Sequence, residues 1–391
     1  MEGENFDDDV LDIEDGEVGT ADEDSMKTVI LDHELTLNTD DKTRLIFHSF
    51  SNLLTVVIDA IGKCRVVVND VDSSIFAATL NFVTEIGKSL TSLDNTIQLL
   101  HKLPQLKGTI VRELEQAKQI YTEFEHKNKD RKELRKISKG FWKDIHWIET
   151  QLLPIVEIRT KEMMQRLALP GNAWVMYKTE TLRKNMESVL LAVARGTQAI
   201  SGIVFSEDAR DKPGEMAIIM TFKGVQEGSV HLPPVFQDVM RDLIMNARKY
   251  SLPGATIWAD MINDGQNLVV RIKDNGIGIM EDELEHIVDF GVRGSNAANR
   301  RTLGGGFGLT KAYFFTRQFG GEFKVQSGIG VGSIFTVTIP CPQSFRLMLP
   351  AKNQAKQAAI EKKKRETIPV EDSAIASAPM DTFTKKGKVP S

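Results

Sequence analysis

The spacing of apolar residues changes character once along this chain, and that change bounds the fold. From about Asp41, Ile46, Phe50, Leu53, Val57, Ala60 and Cys64 step by alternating four and three residues, the seam of a helix packed on a neighbour. Around "EMAIIMTFKG" the apolar residues alternate instead, which predicts a strand entering a sheet. A chain of 391 residues with both regimes has room for two or three domains with full cores. The expected class is multidomain: an all-α helical hairpin or four-helix-bundle region, then an α/β sandwich.

In the helical half, Phe47, Leu54, Ile58 and Ile61 form a second stripe on the first helix, so it touches more than one neighbour. A second helix, with Phe82, Ile86, Leu90, Leu93, Ile97 and Leu100 aligned, follows the "NDVDSS" turn. One hairpin supplies two helices, and a homodimer would supply four. His48, Ser51, Asn52, Thr55 and Asp59 share a face away from the seam, which predicts a solvated His48. Between about Lys107 and Leu167 the pattern stays helical but strongly charged, with Phe141, Ile145 and Ile148 in phase before Pro154, a further hairpin of long helices, and another helix covers about 177–201. The expected divisions are a disordered acidic arm (1–40), a dimerisation hairpin (41–104), an added charged helical region (105–205), the α/β domain (206–345) and a disordered tail (346–391).

Composition excludes several classes. A formal charge of −5, with no aromatic-interleaved basic stripe, gives no case for nucleic-acid binding. Cys64 and Cys341 have neither CxxC spacing nor ligand neighbours, so they read as reduced thiols. No run approaches the twenty or so apolar residues of a membrane span, and the N-terminus is acidic, so the expectation is a cytoplasmic protein without a membrane segment.

The chemistry gathers in the second half, where "TIWADMIN", "NLVVRIKD", "GEFKVQSG" and "SIFTVTIP" read as strands and about 234–250, 280–289 and 307–319 as helices. In "DVMRDLIMNARKYS", Asp242, Asn246 and Lys249 share one helix face. They suit a metal-phosphate group: the Asn246 carbonyl as a Mg²⁺ ligand, Lys249 against phosphate oxygens, Asp242 as proton acceptor or water holder. In "DNGIGI", Asp274 ends a strand, while Gly276 and Gly278 let the backbone turn close to a planar ring whose exocyclic amine the carboxylate can accept. In "GGGFGLTKAYF", Gly304, Gly305, Gly306 and Gly308 precede a helix whose N-terminal amides can surround phosphate oxygens.

Asn helix, Asp-Gly turn, glycine lid and the glycine hairpin of "SGIGVGSIFTVTIP", in that order, resemble the ATP-binding domain shared by DNA gyrase, the heat-shock chaperone, histidine kinases and mismatch-repair proteins. "LIMNARKYS" and "FGVRGSN" look most like histidine protein kinases. The resemblance covers about Glu215 to Pro340 and implies ATP under a mobile lid. Carried across, it assigns Mg²⁺ to Asn246, the phosphates to Lys249 and Arg293, the adenine face to Tyr250 and its amine to Asp274. Gly276, Gly278, Gly304, Gly306 and Gly308 would shape the pocket, and Thr336 would help anchor the base. Phe307 stands where a smaller aliphatic side chain is common.

"HSFSNLLTVV" is similar to the phosphoacceptor box of that family, with His48 followed four places on by Asn52 and an apolar run. The implied function is a histidine kinase that phosphorylates His48 from ATP and passes the group to an aspartate of a separate response regulator, with input either from a separate sensor protein or through the helical region after Lys107. Two features depart from the family: Ser49 stands where an acidic neighbour is usual, and the helical region after Lys107 separates His48 from Asn246 more widely. Two other readings stay open, a non-catalytic ATP-responsive dimeric scaffold and an ATPase or serine kinase of the same superfamily using Asp242 as base.

Overall fold

The computed structural model describes residues 23–69, 71–92, 95–128, 132–196, 203–205, 215–292, 294–295 and 307–343. The expected tail over 346–391 and residues 1–22 of the acidic arm lie outside them. The rest of that arm is ordered, contrary to expectation. Lys27–Leu31 form strand β1, which buries Leu31 and pairs antiparallel with the late strand β8 (Glu322–Gly328). From β1 the chain passes directly into α1 (Thr39–Val68). Asn38 and Asp41 bond each other's backbone N–H groups there, the capping box that starts a helix.

Both stripes of α1, Ile58 apart, are filled by its own chain, against α2 (Ala77–Ser89), α4 (Lys132–Trp147) and α5 (Leu153–Ala168). Phe47, Phe50, Val57, Ile61 and Cys64 are buried in this helical core, together with residues of α3 (Thr96–Lys127). A second chain is therefore not needed to cover them, which corrects the reason for expecting a dimer at this seam. Ile58 of the second stripe stays exposed. One stretch of α1 is long and apolar enough to cross a membrane by length and composition, against expectation; here its apolar side is a protein core.

Two helix boundaries differ from the sequence reading. The second helix breaks between Ser89 and Thr96, and α3 runs through the expected boundary at 104/105 with Pro104 inside it. Phe76 holds a left-handed backbone at the start of α2 and offers no side-chain cap; Glu113 of α3 takes the cap's place by accepting the N–H groups of Ala78 and Thr79. Helix continues through Pro154, as the helical pattern to about Leu167 implies. A π-helical turn over Ile148–Leu152 carries the chain from α4 into α5, whose first turn accommodates a residue without an N–H.

The α/β part begins earlier than expected, at β2 (Val175–Lys178), which pairs with β5 (Ser229–Leu232), followed by α6 (Thr179–Gly196). The main sheet has strand order β1-β8-β9-β7-β6-β4-β3, with β3 (Ile203–Val204), β4 (Met216–Lys223), β6 (Thr256–Asn263), β7 (Asn267–Asp274) and β9 (Gly332–Pro340). The β4/β6 and β3/β4 pairs are parallel and the others antiparallel. Alternate residues of each strand, such as Leu268, Val270 and Ile272 of β7, meet Phe236, Val239, Leu243 and Ala247 of α7 (Val235–Tyr250) and Ala312 and Tyr313 of α8 (Phe307–Gln318). The helix expected over 280–289 is absent. Its N–H groups bond three residues back (Leu284 to Glu281, His286 to Glu283, Asp289 to His286), a succession of tight turns.

Candidate nucleotide site and phosphoacceptor helix

Asp274 closes β7 at the helix-covered face of the sheet and is buried. Burial pushes its carboxyl up to about 7, against the opposing pull of backbone N–H bonds from Gly276 and Ser333. The Gly276 N–H reaches Oδ1 at 2.9 Å. Gly278 has φ of +71°, and a Cβ there would lie 2.0 Å from the Gly328 carbonyl oxygen, so only glycine lets this turn pass the hairpin. Ile277 donates its N–H to the Tyr250 carbonyl at 3.1 Å and Gly330 donates to the Ile277 carbonyl at 3.0 Å. The turn is thus tied to α7 on one side and to the β8–β9 hairpin on the other.

On α7, Asp242 and Asn246 lie one turn apart, and Tyr250 ends the helix with the Lys249 ammonium 4.6 Å from its ring centroid. Gly308, at the start of α8, abuts this face: a Cβ there would be 3.2 Å from Asn246 Nδ2 and 3.5 Å from Asp242 Cβ. The missing side chain leaves the Asn246 amide room to turn its oxygen toward a ligand. The structure therefore brings Asp242, Asn246, Lys249, Tyr250, Asp274, Gly276, Gly278 and Gly308 to α7 and the turns packed against it. Arg293, Gly304 and Gly306 lie outside the described residues.

Thr336 does not belong to this group. Side chains alternate along a strand; Phe335, Val337 and Ile339 pack under the helices, so Thr336 lies on the opposite face, across from Arg271 and Lys324. The residue registered against Asp274 is Ser333. Its hydroxyl lies 3.0 Å from that of Ser327, which accepts the Ile279 N–H at 3.0 Å. The period-two pattern alone could have offered Ser333, had the register with β7 been known.

His48 is only partly solvated, on a face whose Asn52, Thr55 and Asp59 are exposed as expected. It is half-buried against α8, edge-on to Phe307 with ring centroids 5.2 Å apart, while Asn52 Nδ2 lies 3.2 Å from its Nε2. Burial lowers its pKa below the usual histidine value. The negative charge of Asp242 opposes that shift and the positive charge of Lys311 assists it. The imidazole is therefore neutral at pH 7, with a lone pair available on one nitrogen.

Two further clusters escaped the sequence reading. Lys311 of α8 has no exposed surface; its ammonium is paired with Asp242 and donates to Ser49 Oγ at 2.5 Å. Beside it, buried Asp238 of α7 binds Arg159 and Arg166 of α5 and Arg241 of α7, with Glu162 bridging Arg159 and Arg241. Arg166 also donates to the Ile46 carbonyl of α1 at 3.1 Å. Burial would raise the Asp238 carboxyl, but Arg159, Lys311, Arg241 and Arg166 outweigh it and hold the group well below the usual carboxylate range. Charged residues in an amphipathic helix read as solvated, and no local signal marks these as buried.

Residues 232–343 match the family described as histidine kinase-, DNA gyrase B-, and HSP90-like ATPase. The chain is 33% identical over 102 residues to the sensor histidine kinase RppB of Synechocystis sp., covering 26% of this chain and 22% of that protein. It is 32% identical over 101 residues to the sensor-like histidine kinase SenX3 of Mycobacterium bovis, covering 26% and 25%. The chain thus spans about a quarter of the length of these curated relatives. Among solved structures, the mycobacterial sensor histidine kinase MprB aligns at 18% identity over 43% of this chain and 97% of that one, with a TM-score of 0.31. At residues 232–343 the chain carries an ATP-binding domain of the histidine kinase-, DNA gyrase B- and HSP90-like ATPase family.

Proposed function

We propose that this chain is a protein-histidine kinase in which His48 takes the γ-phosphoryl group of ATP held in its own α/β domain and then passes it to an aspartate of a separate receiver protein. The carrying observation is the seat of His48: its ring lies on Phe307 at the head of α8, in the field of Asp242, one turn from Asn246. Family resemblance alone did not require acceptor and nucleotide helix to meet within one chain.

In this reading Asp274 accepts the adenine amine, the Gly276–Gly278 turn lies against the ring, and Lys249 neutralises phosphate oxygens. The γ-phosphoryl group then faces the Asp242 end of α7. One nitrogen of the neutral imidazole forms the N–P bond as the bond from the γ-phosphorus to the bridging oxygen breaks. ADP leaves with that electron pair, and the remaining ring N–H proton is released to water. Asp242 offsets the positive charge that develops on the ring, the part that the missing acidic neighbour at position 49 would otherwise take. Mg²⁺ bound with the nucleotide would neutralise phosphate charge, and Asn246 fits it as the protein's oxygen ligand because Gly308 has no side chain to crowd the amide.

A response regulator as partner and homodimerisation follow from the resemblance and the relatives' class. With the α1 stripes filled internally except at Ile58, a dimer would form mainly on other surfaces. We propose a cytoplasmic location, because the reaction consumes ATP.

The test is incubation with γ-labelled ATP and Mg²⁺ followed by acid. Acid-labile label that disappears in His48→Gln is the expected result. Nucleotide binding without label would favour the scaffold, and acid-stable label lost in Ser49→Ala would favour a serine kinase.

A further inference from the structure

A lysine with no exposed surface is costly unless its ammonium is paired and hydrogen-bonded. Lys311 meets that condition at the joint of three elements. From α8, one turn after Gly308, it pairs with Asp242 of α7 and donates to Ser49 of α1. Its two partners are the carboxylate one turn from Asn246 and the hydroxyl next to His48. We propose that Lys311 is a positioning residue for phosphoryl transfer: its ammonium clasps the acceptor helix to the nucleotide helix and sets the line of approach of His48.

The inference rests on the kinase reading above, and it accounts for a feature that reading leaves unexplained. With serine at position 49, the hydroxyl accepts from Lys311, and the negative charge facing the imidazole comes from Asp242 across the interface. An acidic side chain at 49 would instead compete with Asp242 for the same ammonium. The groups acting on His48 from the packed elements are Asp242 and Asp238 of α7, Lys311 and the Phe307 ring of α8, and Asn52 of its own helix. Arg166 of α5 holds the Ile46 carbonyl nearby. Lys311 is the member that bonds to both helices.

The test uses the full chain and two variants, Lys311→Met and Ser49→Ala. Initial rates of acid-labile labelling at saturating ATP are followed across pH 5.5–8.5, and nucleotide affinity is measured by equilibrium binding. A misplacement of about 1 Å at a reacting group costs on the order of 10²-fold in rate, the loss expected for Lys311→Met, with nucleotide affinity retained. Its pH profile should also move to higher pH, because a cation that disfavours imidazolium has gone and Asp242 is unpaired. Ser49→Ala should slow labelling while leaving the profile in place, since the Lys311–Asp242 pair remains. Lys311→Arg should recover part of the rate. Wild-type rate and profile in Lys311→Met, or a rate loss matched by an equal loss of nucleotide binding, would overturn the proposal. Should Lys311→Met fail to fold, an unchanged rate in Ser49→Ala overturns it alone. Absence of label in the wild type would remove the kinase reading itself, a different outcome from label that ignores Lys311.

Discussion

At the scale of single residues, the nucleotide site sets binding against stability. Asp274 is a buried carboxyl with its pKa raised to about 7, and the carboxylate form is the one that accepts an amine. A folded-state pKa above the unfolded value means stability present at low pH and lost as pH rises through the folded value. Between about pH 4 and pH 7 the nucleotide-free protein should lose on the order of 4 kcal/mol from this group. Asp274→Asn should therefore be more stable than wild type at pH 8, gain little at pH 4, and bind nucleotide more weakly. Thermal melts at the two pH values check this. Most of these residues were legible because each sits in a short local pattern: a helix face for Asp242, Asn246 and Lys249, a turn for Asp274 and Gly278. Thr336 was misplaced because choosing the pocket-facing side of β9 needs its pairing with β7, which no local pattern displays. Lys311 stayed hidden because a lysine in a helix reads as surface until the neighbouring helix is placed.

At the scale of elements, β1 is the main surprise. "KTVIL" follows an acidic stretch and buries one side chain, so it gives little period-two signal, and its partner β8 lies near the other end of the α/β domain. Leu31 is 2% exposed and belongs to the α/β core. Leu31→Ala should cost about 2–5 kcal/mol, read from urea unfolding, although the residue precedes α1. The helices were legible as helices from their periodicity, but their ends were set by contacts. Glu113 supplies the cap that α2 lacks, and a π-turn lets α5 begin beside Pro154. The charged region after Lys107 completes the bundle around α1.

At the scale of the molecule, α1, which carries His48, lies between two contributions to one α/β domain. β1 enters the sheet before α1, and the rest of the sheet follows α6. The link from Leu31 to Asn38 is further held to the α/β domain: His33 bonds Asp289 at 2.9 Å, and the Tyr313 hydroxyl donates to the His33 carbonyl. We infer that transfer runs within one chain. Mixing His48→Gln with Asn246→Ala should yield no label, and robust label from the mixture would show transfer between chains. The same interface carries the Asp238 cluster, whose removal leaves buried guanidiniums underpaired. Asp238→Asn should lose about 3–5 kcal/mol in denaturant unfolding. A depressed folded pKa gives stability present above the unfolded value of 3.8 and lost as pH falls below it, so the wild type should show an acid-unfolding component that Asp238→Asn lacks. This layout was not legible in the sequence, because two apolar stripes on a helix say how many neighbours it has and not which chain supplies them.

The central claim is that the nucleotide's terminal phosphoryl group reaches the imidazole of His48. The most direct measurement is to incubate the intact chain with γ-labelled ATP and Mg²⁺, denature it in alkali, digest it, and locate the label by peptide mass. The account predicts the label on the peptide carrying His48. Label confined to any other residue, or none while nucleotide remains bound, would contradict it.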